Sequence, residues 1–153
     1  MAHATQISRS ALLMVPVEVA YEVVVDVASY PEFLPACLAT TIIETQSQGL
    51  TASVTVGGRV AGRAIEETFV TRNAHVLNEQ IDMSLSDGPF EKLEGKWLFK
   101  KLGDQGCKIE VTINYTPKGL LARMLSTLVD PMASKMVDAF SQRIELAASR
   151  RLG

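Results

Sequence analysis

Hydrophobic and polar positions along this chain follow two different periods. The changes between them divide it into a strand, a helix, several strands and a second helix. Residues 5 to 14 read as strand. After Pro16, the residues Ala20, Val23, Val24 and Val27 fall at i, i+3, i+4 and i+7, an apolar stripe opposed by Glu18, Glu22 and Asp26. That period outweighs the strand preference of Val23-Val24-Val25 and predicts a helix. Pro16 suits its first turn, where a missing N–H costs nothing.

The run Tyr30-Pro31-Glu32-Phe33-Leu34-Pro35 sets two aromatics and a leucine between prolines directly after this helix. Proline fixes φ and removes a donor, so the helix is not expected to extend through the run, nor the run to pair in a central strand. A stiff apolar corner results, and it reads as the edge of a hydrophobic cavity.

From about Leu38 to Tyr115 the period is two. Leu50, Ala52, Val54 and Val56 alternate with Thr51, Ser53 and Thr55, while Leu77, Ile81, Met83 and Leu85 share another parity. Between Lys92 and Lys101, Leu93, Gly95, Trp97 and Phe99 take one side and Lys92, Glu94, Lys96 and Lys100 the other, so Trp97 is expected to point inward. Cys107, Ile109, Val111, Ile113 and Tyr115 continue that inner face. Gly57-Gly58 and Gly103 to Gly106 read as hairpin turns or bulges, and inward Gly95 as a place of close approach.

After Pro117 the helical period returns. Leu121, Leu125, Leu128, Met132, Met136, Phe140 and Ile144 form a stripe wide enough to cover a sheet or a ligand. Asp130-Pro131 lies inside it, and a kink or short break is expected there, with Asp130 capping a second helix that starts at Pro131. The architecture is therefore α+β, one domain over residues 1–153, a size that buries roughly two thirds of its unfolded surface.

Composition narrows the partners. Hydrophobic residues make up 47% and charged residues 21% of the chain, which is globular, and a net charge of −2 gives no general attraction to nucleic acid. No lysine or arginine occurs between Arg9 and Arg59, so Glu18, Glu22, Asp26 and Glu32 mark an acidic pole where an anionic partner is not expected to dock. Cys37 and Cys107 are the two cysteines and lack metal-ligand spacing. Free thiols, a cytoplasmic location and no signal peptide or membrane span are expected.

Catalytic chemistry is sparse. His3 lies in the N-terminal segment and His75 in the turn-like Asn73-Ala74-His75, so neither reads as a general base and no metal site is expected. Neighbouring strand residues face opposite sides, so Glu66 and Glu67 cannot form a dyad on one substrate. If Phe69 faces inward so does Glu67, which would then need a partner such as Arg63 or Arg72. The glycines from Gly57 to Gly62 lack the lysine, hydroxyl and following helix of a phosphate-binding loop.

Several separated segments carry a family resemblance: Asp26-Val27-Ala28-Ser29-Tyr30-Pro31-Glu32-Phe33-Leu34-Pro35, Phe69-Val70-Thr71-Arg72-Asn73, Asp87-Gly88-Pro89-Phe90 followed by Leu93 and Trp97, and Met136-Val137-Asp138-Ala139-Phe140. In this order they resemble the START-like family of coenzyme Q-binding proteins and bacterial ribosome-association toxins of the RatA type, over nearly the whole chain. The resemblance implies a helix-grip fold, a curved antiparallel sheet wrapped around a long C-terminal helix with an apolar tunnel between them.

The coenzyme Q side of the resemblance implies a non-enzymatic carrier of ubiquinone or another polyprenyl lipid that supports respiration, with no cofactor of its own and transient contact with the inner membrane. The toxin side implies binding to the large ribosomal subunit and blocked subunit joining. A cyclase-like enzyme is a third implication, from the wider polyketide cyclase relatives. The carrier reading agrees best with an apolar interior and leads here. Its candidate ligand-lining residues are Tyr30, Phe33 and Leu34 at the mouth, Phe69, Met83, Trp97 and Phe99 on the sheet, and Met124, Leu128, Met132 and Met136 on the helix, methionine being an adaptable gap-filler. For the ribosome alternative, Lys92, Lys96, Lys100 and Lys108 on the outer sheet face are the expected contact.

Overall fold

The computed structural model describes residues 4–152, without the side chains of 121, 122, 125, 126, 128–130 and 152. His3, and the side chains of Leu121, Leu125, Leu128 and Asp130, therefore lie outside the described residues. Seven strands, β1 (Thr5–Leu13), β2 (Cys37–Gln46), β3 (Gly49–Val60), β4 (Arg63–Val76), β5 (Gln80–Asp87), β6 (Phe90–Lys101) and β7 (Cys107–Pro117), form one antiparallel sheet. Its order is β1-β7-β6-β5-β4-β3-β2, so β2 to β7 run as a meander and β1 closes beside β7. α1 (Val17–Val25) and a 3₁₀ segment (Val27–Glu32) join β1 to β2, and α2 (Gly119–Leu152) follows β7. This is the helix-grip expected from the sequence.

Alternation is clearest on β6 and β7, where Leu93, Gly95, Trp97 and Phe99 and then Cys107, Ile109, Val111, Ile113 and Tyr115 are buried while their neighbours are not. Register places Trp97 between Ile81 and Val111. α2 adds Ala133, Met136, Val137, Phe140 and Ile144 to the same core, so one helix face meets alternate sheet positions. α1 buries Val17, Val19, Ala20, Tyr21 and Val24 and stops at Val25, after which the chain tightens into the 3₁₀ segment containing Pro31.

Four expectations are corrected. Gly57 and Gly58 are not a turn: they lie within β3, opposite Glu66 and Ile65. A Cβ on Gly57 would sit 2.7 Å from Leu38 Cδ1 and 2.8 Å from the Ile65 carbonyl, so glycine serves close approach there. The hairpin turns instead at Ala61 (φ 52°) and Gly62 (φ 79°), the successive positive φ values of a tight two-residue connection. Leu77 does not continue the inner parity of β5; it occupies the β4–β5 turn and is exposed.

The third correction concerns Pro131, which neither breaks the helix nor starts a second one: α2 runs as a single helix from Gly119 to Leu152. Proline removes one hydrogen bond and crowds the preceding turn. The burial of Ala133, Met136, Val137, Phe140 and Ile144 anchors the helix just beyond it.

The fourth concerns charge. The end of α2 lies beside α1, where Arg151 pairs with Glu22, Arg143 donates to Glu32 at 2.7 Å, and Arg150 lines a groove of about 300 Å³ with Glu22 and Asp26. Cations from the far end of the chain thus convert the acidic pole into a mixed surface. Among the described residues, no helix is long and apolar enough to cross a membrane.

Candidate functional site

The proline corner closes one end of the space between sheet and α2. Leu34 N–H donates to the Tyr30 carbonyl at 2.8 Å and Cys37 N–H to the Leu34 carbonyl at 3.2 Å, while Ala36 adopts φ 64°. These bonds coil the segment tightly and turn Tyr30 and Leu34 inward. The Tyr30 hydroxyl donates to the Val24 carbonyl at the end of α1. Burial first, then the nearby Asp26 and Cys37, push its pKa well above the ordinary tyrosine value, so it stays a donor.

Beneath this corner lies a cavity of about 80 Å³. Tyr30, Leu34 and Cys37 form its roof, Val54, Val56, Phe69, Met83, Phe90, Leu93 and Ile113 its sheet wall, and Met132, Ala133 and Met136 its helix wall. Only apolar surface faces it. Apolar cavities of this kind stay empty of water, and this one falls below the roughly 300–1,000 Å³ of ordinary ligand pockets. Gly95 adjoins the wall: a Cβ there would lie 2.7 Å from Met83 Cε. The Cys37 thiol is pushed up by burial, as is that of Cys107, and both cysteines are free.

Six residues singled out from the sequence meet at this cavity: Tyr30, Leu34, Phe69, Met83, Met132 and Met136. Phe33, Trp97, Phe99 and Met124 do not line it, and the side chain of Leu128 is outside the described residues. Trp97 and Phe99 do face inward, but one end of the inner face is filled by an aromatic wall. Trp97 packs edge-on to Phe140 at 4.9 Å and stacks on Phe99 at 6.2 Å, and Tyr21 meets Phe99 at 5.5 Å. Phe33 packs on Phe140 at 5.0 Å, on the groove side of the corner. Val54, Val56, Leu93 and Ile113 were legible by parity as inner-face residues, whereas Cys37, Phe90 and Ala133 needed the fold.

Buried polar groups stand on the same inner sheet face outside the cavity lining; sequence reasoning placed Tyr115 there and missed Asn73 and His75. His75 and Asn73 lie within β4 rather than in a turn, sharing the inner parity of Phe69, and Asn73 stands opposite cavity-lining Met83. Asn73 Oδ1, His75 Nε2 and the Tyr115 hydroxyl are buried without a hydrogen-bond partner. Such atoms are uncommon and costly. Tyr115 packs edge-on to Phe90 at 6.1 Å. Glu67 is half-buried on the same parity as Phe69, but no described ion pair joins it to Arg63 or Arg72. Among the described residues, no group of three or more His, Cys, Asp or Glu could hold a metal ion.

Comparison with known proteins places this geometry in context. Residues 13–141 match the family described as polyketide cyclase/dehydrase and lipid transport. The ribosome association toxin RatA of Pseudomonas aeruginosa is 41% identical over 140 residues, covering 91% of this chain and 94% of that protein. RatA of Escherichia coli is 38% identical over 147 residues, covering 95% and 90%. A mitochondrial coenzyme Q-binding protein, COQ10 of Dictyostelium discoideum, is 35% identical over 92 residues, 58% of this chain and 43% of that one. Among solved structures, the Zhui aromatase/cyclase of Streptomyces sp. R1128 superposes with a TM-score of 0.78 at 17% identity, covering 94% of each chain, a likeness of fold.

Proposed function

Because this chain belongs to the polyketide cyclase/dehydrase and lipid transport family, we propose that it acts as its ribosome-associating relatives are named to act. The expected partner is the large subunit, and the expected effect is to impede subunit joining. The observation that carries this reading is the near-full-length match to proteins named ribosome association toxin at 38–41% identity. The small cavity supports it from the other side, since 80 Å³ does not accommodate a quinone with a long isoprenoid tail. A cyclase-type reaction would need titratable groups converging on the cavity. Its walls offer Tyr30, whose hydroxyl is committed to Val24, and the Cys37 thiol.

The outer-face lysines are a weaker contact than their alternation suggested. Lys92 pairs with Glu94 at 3.8 Å, and Lys96 stands opposite Asp82. Cosedimentation with separated subunits over a salt series tests the reading, because RNA contacts through several phosphates lose affinity by orders of magnitude over a moderate salt increase. Salt-sensitive binding to large subunits is the expected result, and absence of binding to either subunit at low salt overturns it.

A second reading is carriage of an apolar molecule with a polar head. It rests on the orphaned Tyr115 hydroxyl, Asn73 Oδ1 and His75 Nε2 on the inner sheet face, outside the lining of a cavity walled by three flexible methionines. Occupation would require Met83, Met132 and Met136 to move aside. Native mass spectrometry and lipid extraction of freshly purified protein should then return a stoichiometric lipid, and repeated extraction of none, with no uptake of added quinone, counts against it.

A further inference from the structure

The sheet is open, and β1 and β2 are its two edges. An edge strand presents a row of backbone N–H and C=O groups with no neighbour, and folded chains commonly guard it with charged side chains or proline. β1 carries Arg9 at its middle. β2 is barely guarded: residues 38–58, spanning β2 and most of β3, contain a single charged residue, Glu44, in a chain that is 21% charged, and no proline. From Ala39 to Gln46 every residue but Thr40 is exposed, and the Thr40 hydroxyl donates to the Val27 carbonyl at 3.0 Å. Ile42 and Ile43 are among the exposed side chains, in a run of β-branched residues from Thr40 to Ile43.

Register indicates what covers this edge. Pairing with β3 skips Leu38 and Ile43, so each is a bulge, and the one at Ile43 resets the parity of the strand. Thr41 and Glu44 stand opposite Ser53 and Thr51 on the outer face, while Thr40 and Thr45 stand opposite Val54 and Leu50 on the inner face, where Val54 lines the cavity. About a two-fold axis between Ile42 and Ile43, a second β2 therefore meets this one face for face: Thr41 with Glu44, Thr40 with Thr45, and Ile42 with Ile43. The match runs along residues 39–46 because the second strand carries the same extra residue at the mirrored place. A strand without it would agree in one half and present the wrong faces in the other, unless it skipped a position as β3 does. β1 pairs with β7 without any such shift, and joining β1 of one copy to β2 of the next would repeat without closing. In the two-fold arrangement Glu44 lies against Thr41, so no like charges meet. A polyanion such as RNA finds no cation on this margin.

We propose that β2 is a docking strand for a second copy of this chain, pairing antiparallel over residues 39–46 and joining the two sheets into one. Backbone hydrogen bonds supply the attraction, and the face-for-face match about Ile42 and Ile43 supplies the register. A single strand pair is a small interface, so the dimer is weak and its population depends on concentration. The inference rests on the edge alone and is independent of both ribosome association and cavity ligands.

The test is sedimentation of the full chain over a concentration series. The mass should rise from that of one chain toward twice that value and no further. Ile43→Lys sets two ammonium groups beside the axis and should weaken association by about tenfold or more. Position 41 tests the register: Thr41→Lys faces Glu44 of the second copy twice and should tighten the dimer by about fivefold, whereas Thr41→Glu should weaken it by a similar factor. All three positions are exposed, so thermal melts of the dilute variants should match the parent and separate association from folding. A single chain at every concentration overturns the proposal, as does a dimer indifferent to Ile43→Lys. Growth into ever larger species overturns the two-fold arrangement in favour of β1–β2 contact, and equal effects of lysine and glutamate at position 41 overturn the register.

Discussion

Arg143 holds the proline corner by two contacts at once: its guanidinium donates to Glu32 at 2.7 Å and lies 5.2 Å from the centre of the Phe33 ring. Phe33 in turn packs on Phe140 and Tyr30, so a surface cation on α2 is coupled to the cavity roof through two rings. Arg143→Ala should lower stability by about 1 kcal/mol, the sum of a partly exposed ion pair and a cation–π contact. Arg143→Lys should recover only part of it, because an ammonium lacks the planar stack. Urea denaturation of the three proteins measures this, and equal stability of all three would show the clasp to be idle.

Trp97→Ala should cost roughly 3–5 kcal/mol, since the indole fills space between Phe140 and Phe99 rather than facing the cavity. Affinity for any cavity ligand should change far less than stability in whatever fraction remains folded. Equilibrium denaturation and ligand titration on the same preparation separate the two, and an affinity loss that matches the stability loss would put Trp97 at the site.

Tyr115→Phe deletes a buried hydroxyl that has no partner. Removing an unsatisfied polar atom while keeping the ring should be neutral or stabilising by up to about 1 kcal/mol. If the hydroxyl anchors a ligand head, the same change should reduce lipid recovered with the protein. A destabilisation above about 1 kcal/mol would reveal a partner in the folded protein.

His75 gives a pH dependence of known sign. Burial lowers its pKa below the ordinary histidine value, so at mildly acidic pH the unfolded chain takes up a proton that the folded one refuses. Its contribution is fully present above the unfolded pKa near 6.5 and is lost as pH falls from there through the folded value. Thermal melts between neutral and mildly acidic pH should show this decline, and His75→Gln should flatten it; an unchanged slope in the variant would assign the decline to other groups.

Much of the fold was legible because β6 and β7 alternate strictly: inward Trp97 and Tyr115 and outward Lys92 and Lys96 follow from period two alone. The cavity was legible only in part. Parity says which face a residue takes but not where along that face packing fails, so Trp97 and Phe99 were grouped with Met83 although Phe140 fills the space beside them. Gly57 and Pro131 misled for a related reason. A glycine wanted for the approach of Leu38 looks like a turn, and a proline overridden by the burial of Phe140 and Ile144 looks like a break, when the distant partner is unknown. The acidic pole failed in the same way, its counter-charges lying at the far end of the chain.

The hydrogen in place of a side chain at Gly95 sets the capacity of the interior. Met83 rests where a methyl group at position 95 would stand, and its tip is the nearest atom that would have to give way. An alanine there would act as a set-screw, forcing the Met83 thioether to shift without substituting any wall residue. Capacity is thus adjustable, one carbon at a time, from a strand position outside the cavity lining.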